Sequence, residues 1–194
     1  MLHPNWRELQ IHETSPTIRA ASLKLKTECP CFTYSYYNEL MVLGSVQPQE
    51  GYRCENIEQM TFADESFDVF LAQDVFEHIF RPDRAIKEIG RVLKPRGSCI
   101  MTVPIVRKGN CSQRRASIGS NGNVIYNKQP EYHGNPINDS GALVTIDWGY
   151  DILDYFNYHS SLQCGMIYID DLSRGIRAEF IEVLLCRKGV VPSL

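Results

Sequence analysis

No stretch of this sequence approaches the ~20 consecutive apolar residues that a helix needs to cross a bilayer. The opening residues, MLHPNWRELQ, also have no apolar signal core. A cytoplasmic location with no membrane partner is therefore expected. Paired cysteine spacing is missing too. Cys29, Cys31, Cys54, Cys99, Cys111, Cys164 and Cys186 form no CxxC motif and lack the density of a secreted scaffold. Ordinary thiols in a reducing compartment are expected, and Cys29-Pro30-Cys31 reads as an extended segment with no metal or redox role. A strong charge of one sign is absent as well: the formal net charge is -3. That excludes broad attraction to nucleic acid or anionic membrane, and nucleic acid is not an expected partner. The basic pairs Arg107-Lys108 and Arg114-Arg115 stand in a polar loop and read as solvated. Neither an internal repeat nor a heptad pattern is present.

What is present is average for a globular protein: 43% apolar and 22% charged residues over 194 positions. That length buries one substantial core but scarcely two, so one domain over residues 1–194 is expected.

The elements alternate as a parallel sheet requires. Leu9 to Glu13 is a short strand, and Thr17 to Glu28 carries helical spacing through Ile18, Ala21, Leu23 and Leu25. Cys31 to Tyr37 and Tyr52 to Cys54 supply further strands. Phe67 to Ala72 is continuously apolar apart from Asp68, as in a strand buried on both faces. Pro82 to Leu93 then places Ala85, Ile86, Ile89, Val92 and Leu93 on one helical face. Pro95-Arg96-Gly97 stops that helix before a strand from Ser98 to Val106, completing a right-handed βαβ unit. From about residue 107 to 144 the composition turns to Gly, Asn, Ser and Pro, which predicts an insertion acting as a lid or excursion. Thr145 to Tyr155 suits a helix start, and Gly165 to Ile169 and Ala178 to Cys186 read as two final strands.

The run Asn56 to Val69, followed by Val75-Phe76-Glu77-His78 and Glu88 to Gly97, resembles the core of the class I S-adenosylmethionine-dependent methyltransferases. The resemblance implies a Rossmann-like α/β fold: a mostly parallel seven-stranded sheet with a C-terminal antiparallel strand and helices on both faces. It also implies S-adenosylmethionine as cofactor, lying across the carboxyl ends of the strands, and a small-molecule or saccharide methyl acceptor. Glu13 matches the acidic residue that the family carries after the first strand. Ser15 and Thr17 stand where it carries glycines, with Pro16 between them, and Tyr36 stands where it carries the ribose-binding carboxylate. Asn56 falls at the adenine-amine position with Ile57 covering the ring, and Gln73 ends the fourth strand beside the cofactor. The altered glycine turn leaves a second reading open, a degenerate domain kept for binding or scaffolding.

Asp74, Glu77 and His78 are spaced i, i+3, i+4, which puts three ligand-bearing side chains on one face of a helical turn. The spacing resembles the ExxEH pattern of metal-assisted methyltransferases, with Asp74 in place of the first glutamate, and implies a possible divalent metal. His133 within the insertion is the candidate fourth ligand, substrate contact or general base, beside Tyr132. Trp148, in Asp147-Trp148-Gly149-Tyr150, reads either as a second substrate-contacting wall or as an aromatic core anchor after a helix cap.

Overall fold

A computed structural model gives the structure, described here for residues 3–189. Five strands run parallel: β1 (Ile11–Thr14), β2 (Phe32–Tyr36), β3 (Arg53–Cys54), β4 (Phe67–Gln73) and β5 (Leu93–Thr102). Helix α1 (Ala20–Glu28) crosses from β1 to β2, and α2 (Pro82–Val92) from β4 to β5. After β5 come the short strands β6 (Gln113–Arg114), β7 (Ala116–Ile118), β8 (Val124–Tyr126), β9 (Tyr132–Asn135), β10 (Asn138–Leu143) and β11 (Ile146–Asp147). Helix α3 (Ile152–His159) and strands β12 (Leu162–Tyr168) and β13 (Glu182–Lys188) complete the order.

The main sheet has seven strands in the order β12-β13-β5-β4-β1-β2-β3. Strand β13 lies antiparallel between β5 and β12. The chain winds outward from β1 in one direction and from β4 in the other, so the loops leaving the carboxyl ends of these neighbours diverge. That topological switch point is where open α/β sheets leave a crevice for ligands.

The βαβ unit follows the sequence pattern closely. Ala85, Ile86, Ile89 and Val92 are fully buried on the inner face of α2, against Phe70, Cys99 and Met101 of the sheet and Phe156 of α3. One detail differs from expectation. Pro95-Arg96-Gly97 does not separate helix from strand, because β5 begins pairing at Leu93 and absorbs these residues as an irregularity between Phe67↔Leu93 and Val69↔Ser98. Gly97 is required there: a Cβ would come within 2.8 Å of the Lys94 carbonyl oxygen and 3.2 Å of those of Phe67 and Asp68.

Helix α1 starts at Ala20 rather than Thr17. Ser15 takes a left-handed φ of 51°, Arg19 is extended and Ala20 is again left-handed at 47°, which delays the first helical turn. Its apolar residues only partly face the core: Leu25 packs half-buried against Ile11, Cys29 and Val69, but Leu23 is 48% exposed, while Ser22 is buried. The insertion is more ordered than an excursion, since β7–β8 and β9–β10 form antiparallel hairpins and β6 pairs with β11. The pairing of β11 takes up residues expected to open a helix, so α3 begins only at Ile152.

The thiol expectation is corrected at one pair. Cys164 and Cys186 face each other directly across β12 and β13 and are joined as a disulfide, whereas Cys29, Cys31, Cys54, Cys99 and Cys111 are free. Among the described residues no helix is long and apolar enough to cross a membrane.

Candidate active site

The site grows from the end of β1. Glu13 is fully buried, and its Oε1 accepts hydrogen bonds from Ser22 Oγ at 2.9 Å and from Gln73 Nε2. Gln73 also reaches Ser22 Oγ at 3.3 Å, so the first residue pair of the crevice is braced from α1 and from β4. Burial pushes the Glu13 carboxyl up from its ordinary pKa, against the pull of its two donors. Ser22 was not visible as a site residue in the sequence; a serine inside a helix carries no such signal.

Past Glu13 the chain turns at Ser15, whose N–H donates to the Ser35 carbonyl at 2.8 Å. The left-handed φ of Ser15 is the conformation that glycine adopts without cost and that an L-residue holds at about 1–2 kcal/mol. The turn thus keeps a glycine-type backbone without a glycine. Tyr36, at the end of β2, is 8% exposed and donates its hydroxyl to the Pro16 carbonyl at 2.6 Å. Its ring packs edge-on against Tyr52 at 4.9 Å. Burial pushes the phenol up to about 12, so it stays protonated and holds the bond as a donor. Tyr36 is therefore committed to the turn rather than free to accept from a diol.

A cavity of about 580 Å³ opens at this point, within the ~300–1,000 Å³ common for small-ligand sites. Ser15, Thr17, Tyr36 and Gln73 form its wall on the side of β1 and β2. Glu77 and His78 lie opposite, and His133 of β9 closes it from the insertion. Asp74 lines it too, but its carboxylate accepts from Thr102 Oγ1 at 2.9 Å and does not join the neighbouring ligand-bearing groups. The group the fold brings together is Glu77, His78 and His133, with ligand atoms all within 4.8 Å of one another. The i, i+3, i+4 face of the sequence pattern does not form, because Asp74 sits in a left-handed turn and only Phe76–His78 make a short 3-10 turn.

Within that group Glu77 is 2% exposed. His78 bonds the Leu143 carbonyl through Nδ1 at 2.9 Å and lies edge-on to His133, with ring centroids 5.2 Å apart. His133 stands between two carboxylates, Nδ1 at 3.8 Å from Glu77 and Nε2 at 3.7 Å from Glu131. The Glu77 carboxylate first, and Glu131 with it, raises the His133 pKa above its ordinary value while partial burial opposes them.

Several residues singled out in the sequence lie elsewhere. Asn56 accepts from its own Glu58 N–H at 2.9 Å in a local turn, and Ile57 is buried in the core; neither lines the cavity. Tyr132 is 54% exposed and is also outside it. Trp148 is a core anchor, 2% exposed, packed on Tyr155 and Phe156 with Nε1 donating to the Phe76 carbonyl at 3.1 Å. Its turn leads the indole into the gap between α3 and the Phe76 turn, away from the cavity. Pro104, Ile137 and Leu143 line the cavity instead. Pro104 follows β5, Ile137 stands in a turn and Leu143 ends β10, apolar positions that a sequence pattern does not mark.

A family model described as a methyltransferase domain matches residues 35–101. No curated protein sequence matches the chain. Among solved structures, the chain is similar to an S-adenosylmethionine-dependent methyltransferase from Mesorhizobium loti, with a TM-score of 0.56 at 11% identity over 95% of this chain and 93% of that one. It is similar to an S-adenosylmethionine-dependent methyltransferase from Methanosarcina mazei, with a TM-score of 0.54 at 14% identity over 95% and 94%. A third similar structure is the 1,6-didemethyltoxoflavin-N1-methyltransferase of Burkholderia thailandensis, holding 1,6-didemethyltoxoflavin and S-adenosylhomocysteine. Its TM-score is 0.52 at 11% identity, over 97% of this chain and 75% of that one.

Proposed function

We propose that this chain, whose residues 35–101 match a methyltransferase-domain model, transfers a methyl group from S-adenosylmethionine to a small molecule or saccharide. The observation that carries this reading is the continuity of the cavity. One space joins the turn at Ser15 and Thr17, where the cofactor's methionine end belongs, to His133 under the insertion. In-line transfer from a sulfonium needs alignment above all, and a base only where the nucleophile bears a proton. His133 fills that role: it reaches the cavity wall, and the flanking carboxylates make it a stronger base than an isolated imidazole. The β9–β10 hairpin of the insertion covers the acceptor side and sets its shape. The similar Burkholderia enzyme holds 1,6-didemethyltoxoflavin, and an acceptor of small-molecule size accords with a cavity of about 580 Å³.

A second reading has one observation in its favour. Tyr36 is latched onto Pro16 where a ribose would be gripped, which suits a domain that has given up methyl transfer for binding. Calorimetry separates the two. We expect S-adenosylhomocysteine to bind the full chain, and isotope-labelled methyl from S-adenosylmethionine to appear in a hydroxyl- or nitrogen-bearing acceptor. Absence of any binding heat at millimolar cofactor sinks the enzyme reading.

A further inference from the structure

We propose that the cavity binds an apolar primary amine as its ammonium, held by the carboxylate of Glu77, and that amines of this kind are the acceptors of the site. The first ground is an orphaned charge. Glu77 is 2% exposed and borders the cavity, yet among the described residues neither of its carboxylate oxygens has a hydrogen-bond donor. The two imidazoles nearby stand beyond hydrogen-bond reach of Oε1, His78 Nε2 at 3.6 Å and His133 Nδ1 at 3.8 Å. Nor can the group turn away to water, because its backbone is pinned: the Glu77 carbonyl accepts from the Thr145 N–H at 2.7 Å and from its hydroxyl at 3.1 Å. A carboxylate buried in this way is strongly unfavourable until something positive meets it.

The second ground is the charge and donor balance of the wall. Among the described residues no lysine or arginine lines the cavity, whereas Asp74 and Glu77 both do. Asp74 has a donor in Thr102 Oγ1; Glu77 has none. His78 supplies no donor either. The Leu143 carbonyl only accepts, so the 2.9 Å contact places the ring proton on Nδ1, and Nε2 of the neutral imidazole is one more acceptor. A wall that is negative and short of donors is the complement of an ammonium, which brings a positive charge together with N–H groups and accepts nothing. An amide or a hydroxyl would satisfy the oxygens but leave the charge in place.

The rest of the wall selects the body of the ligand. Ile79, Phe80, Ile137 and Leu143, all half-buried, line the same cavity. Apolar walls with one charged group fit a ligand that has an apolar body and a single charged head. That favours an alkylamine or arylamine over a saccharide, whose hydroxyls would be set against carbon. The carboxylate oxygens carry almost no free surface, so the ammonium has to be let in. His133 is 40% exposed and belongs to the β9–β10 hairpin, which makes it the side chain that yields. S-adenosylmethionine is also a cation, but its methionine end belongs at Ser15 and Thr17, on the opposite wall. The role of the amine as methyl acceptor rests on the proposed function; its binding does not.

Calorimetric titration of the full chain with benzylamine, benzyl alcohol and benzoate, three probes of one shape and different charge, tests the site; EDTA in the buffer keeps any metal ion from bridging. Benzylamine should bind at millimolar concentration or below and at least about tenfold more tightly than benzyl alcohol, since hydrogen bonds to a charged group are the stronger kind, while benzoate should not bind. Glu77→Gln should weaken benzylamine at least about tenfold and change benzyl alcohol and S-adenosylmethionine less than about twofold. Because it removes a buried charge that has no donor, its melting temperature should not fall. His133→Ala should bind benzylamine at least as tightly as the unsubstituted chain. The proposal is overturned by equal affinity for benzylamine and benzyl alcohol, by an amine preference that survives Glu77→Gln, or by a loss in His133→Ala as large as in Glu77→Gln. It is overturned too if S-adenosylmethionine weakens in Glu77→Gln as much as benzylamine, which would make the carboxylate a cofactor ligand. If Glu77→Gln folds poorly, the contrast between amine and alcohol in the unsubstituted chain decides alone. Cofactor binding without an amine preference removes this site and leaves methyl transfer standing, and an amine preference without cofactor binding does the reverse.

Discussion

Replacing Tyr36 by Phe removes a single oxygen from the latch between β2 and the turn while leaving the ring against Tyr52. The Pro16 carbonyl is in a buried residue and loses its 2.6 Å donor. A typical intramolecular hydrogen bond contributes about 0.5–1.5 kcal/mol net. For a chain of this length each kcal/mol moves the melting temperature by roughly 2–4 °C, so Tyr36→Phe should melt about 1–6 °C lower. The same bond also bears on ligand binding. Under the proposed function the nucleoside half of the cofactor would lie across the ends of β1 and β2, and seating it would draw the Tyr36 hydroxyl away from Pro16. The free energy of the latch is then subtracted from binding. Its removal should tighten S-adenosylhomocysteine roughly two- to tenfold, because ~1.4 kcal/mol is a factor of ten in affinity. Differential scanning fluorimetry and calorimetry on the same preparations read both halves. A variant that is less stable yet binds the ligand no more tightly would refute the linkage, and one of unchanged stability would refute the latch.

Acid stability should be set in part by His12, which is fully buried between Phe62, Phe67 and Phe70, with Nδ1 at 2.9 Å from Thr33 Oγ1 and Nε2 at 3.0 Å from Ser35 Oγ. Burial, helped by the Arg53 charge, holds its pKa down to about 3 against 6.5 for a free imidazole. The unfolded chain therefore takes up a proton there that the folded chain refuses. Stability is lost as pH falls below 6.5 and levels off near 3; the His12 share is about 2–3 kcal/mol between pH 6.5 and 4.5. Urea unfolding across that range should show a slope shallower by nearly one proton in His12→Gln. Gly97→Ala should cost about 1–3 kcal/mol, since its Cβ would press on three backbone carbonyls that cannot rotate away, and it should shift the urea midpoint at constant m.

Much of the sheet was legible because its residues carry strong patterns. The apolar run of β4 and the 3.6-residue period of α2 each admit one placement, buried on both faces or on one, and both lie where the pattern puts them. The site was legible in parts. Glu13, Ser15, Thr17, Tyr36 and Gln73 gather around the crevice, yet Tyr36 spends its hydroxyl on a main-chain carbonyl, a partner every residue offers and no side-chain pattern marks. The helical spacing of Asp74, Glu77 and His78 predicts one shared face. A left-handed Asp74 breaks that face, and dihedral angles are not written in residue identity. His133 meets Glu77 only because the β9–β10 hairpin folds back over the sheet, a tertiary event with no local signal. Of the two positions where the family carries glycines, Ser15 adopts left-handed backbone despite its side chain and Thr17 does not.

The insertion is stitched to the wall it covers. Thr145 donates from its N–H to the Glu77 carbonyl and from its hydroxyl to that of Ile79, both at 2.7 Å, while Trp148 ties Phe76 and His78 ties Leu143. Roof and floor along this seam are one mechanical piece. A cargo cannot be admitted by swinging the whole roof about its base without tearing the backbone of Phe76 to Ile79 from its supports. The turn between Asn135 and Asn138 takes no part in that seam, so it is the stretch of the roof that can shift without breaking these bonds.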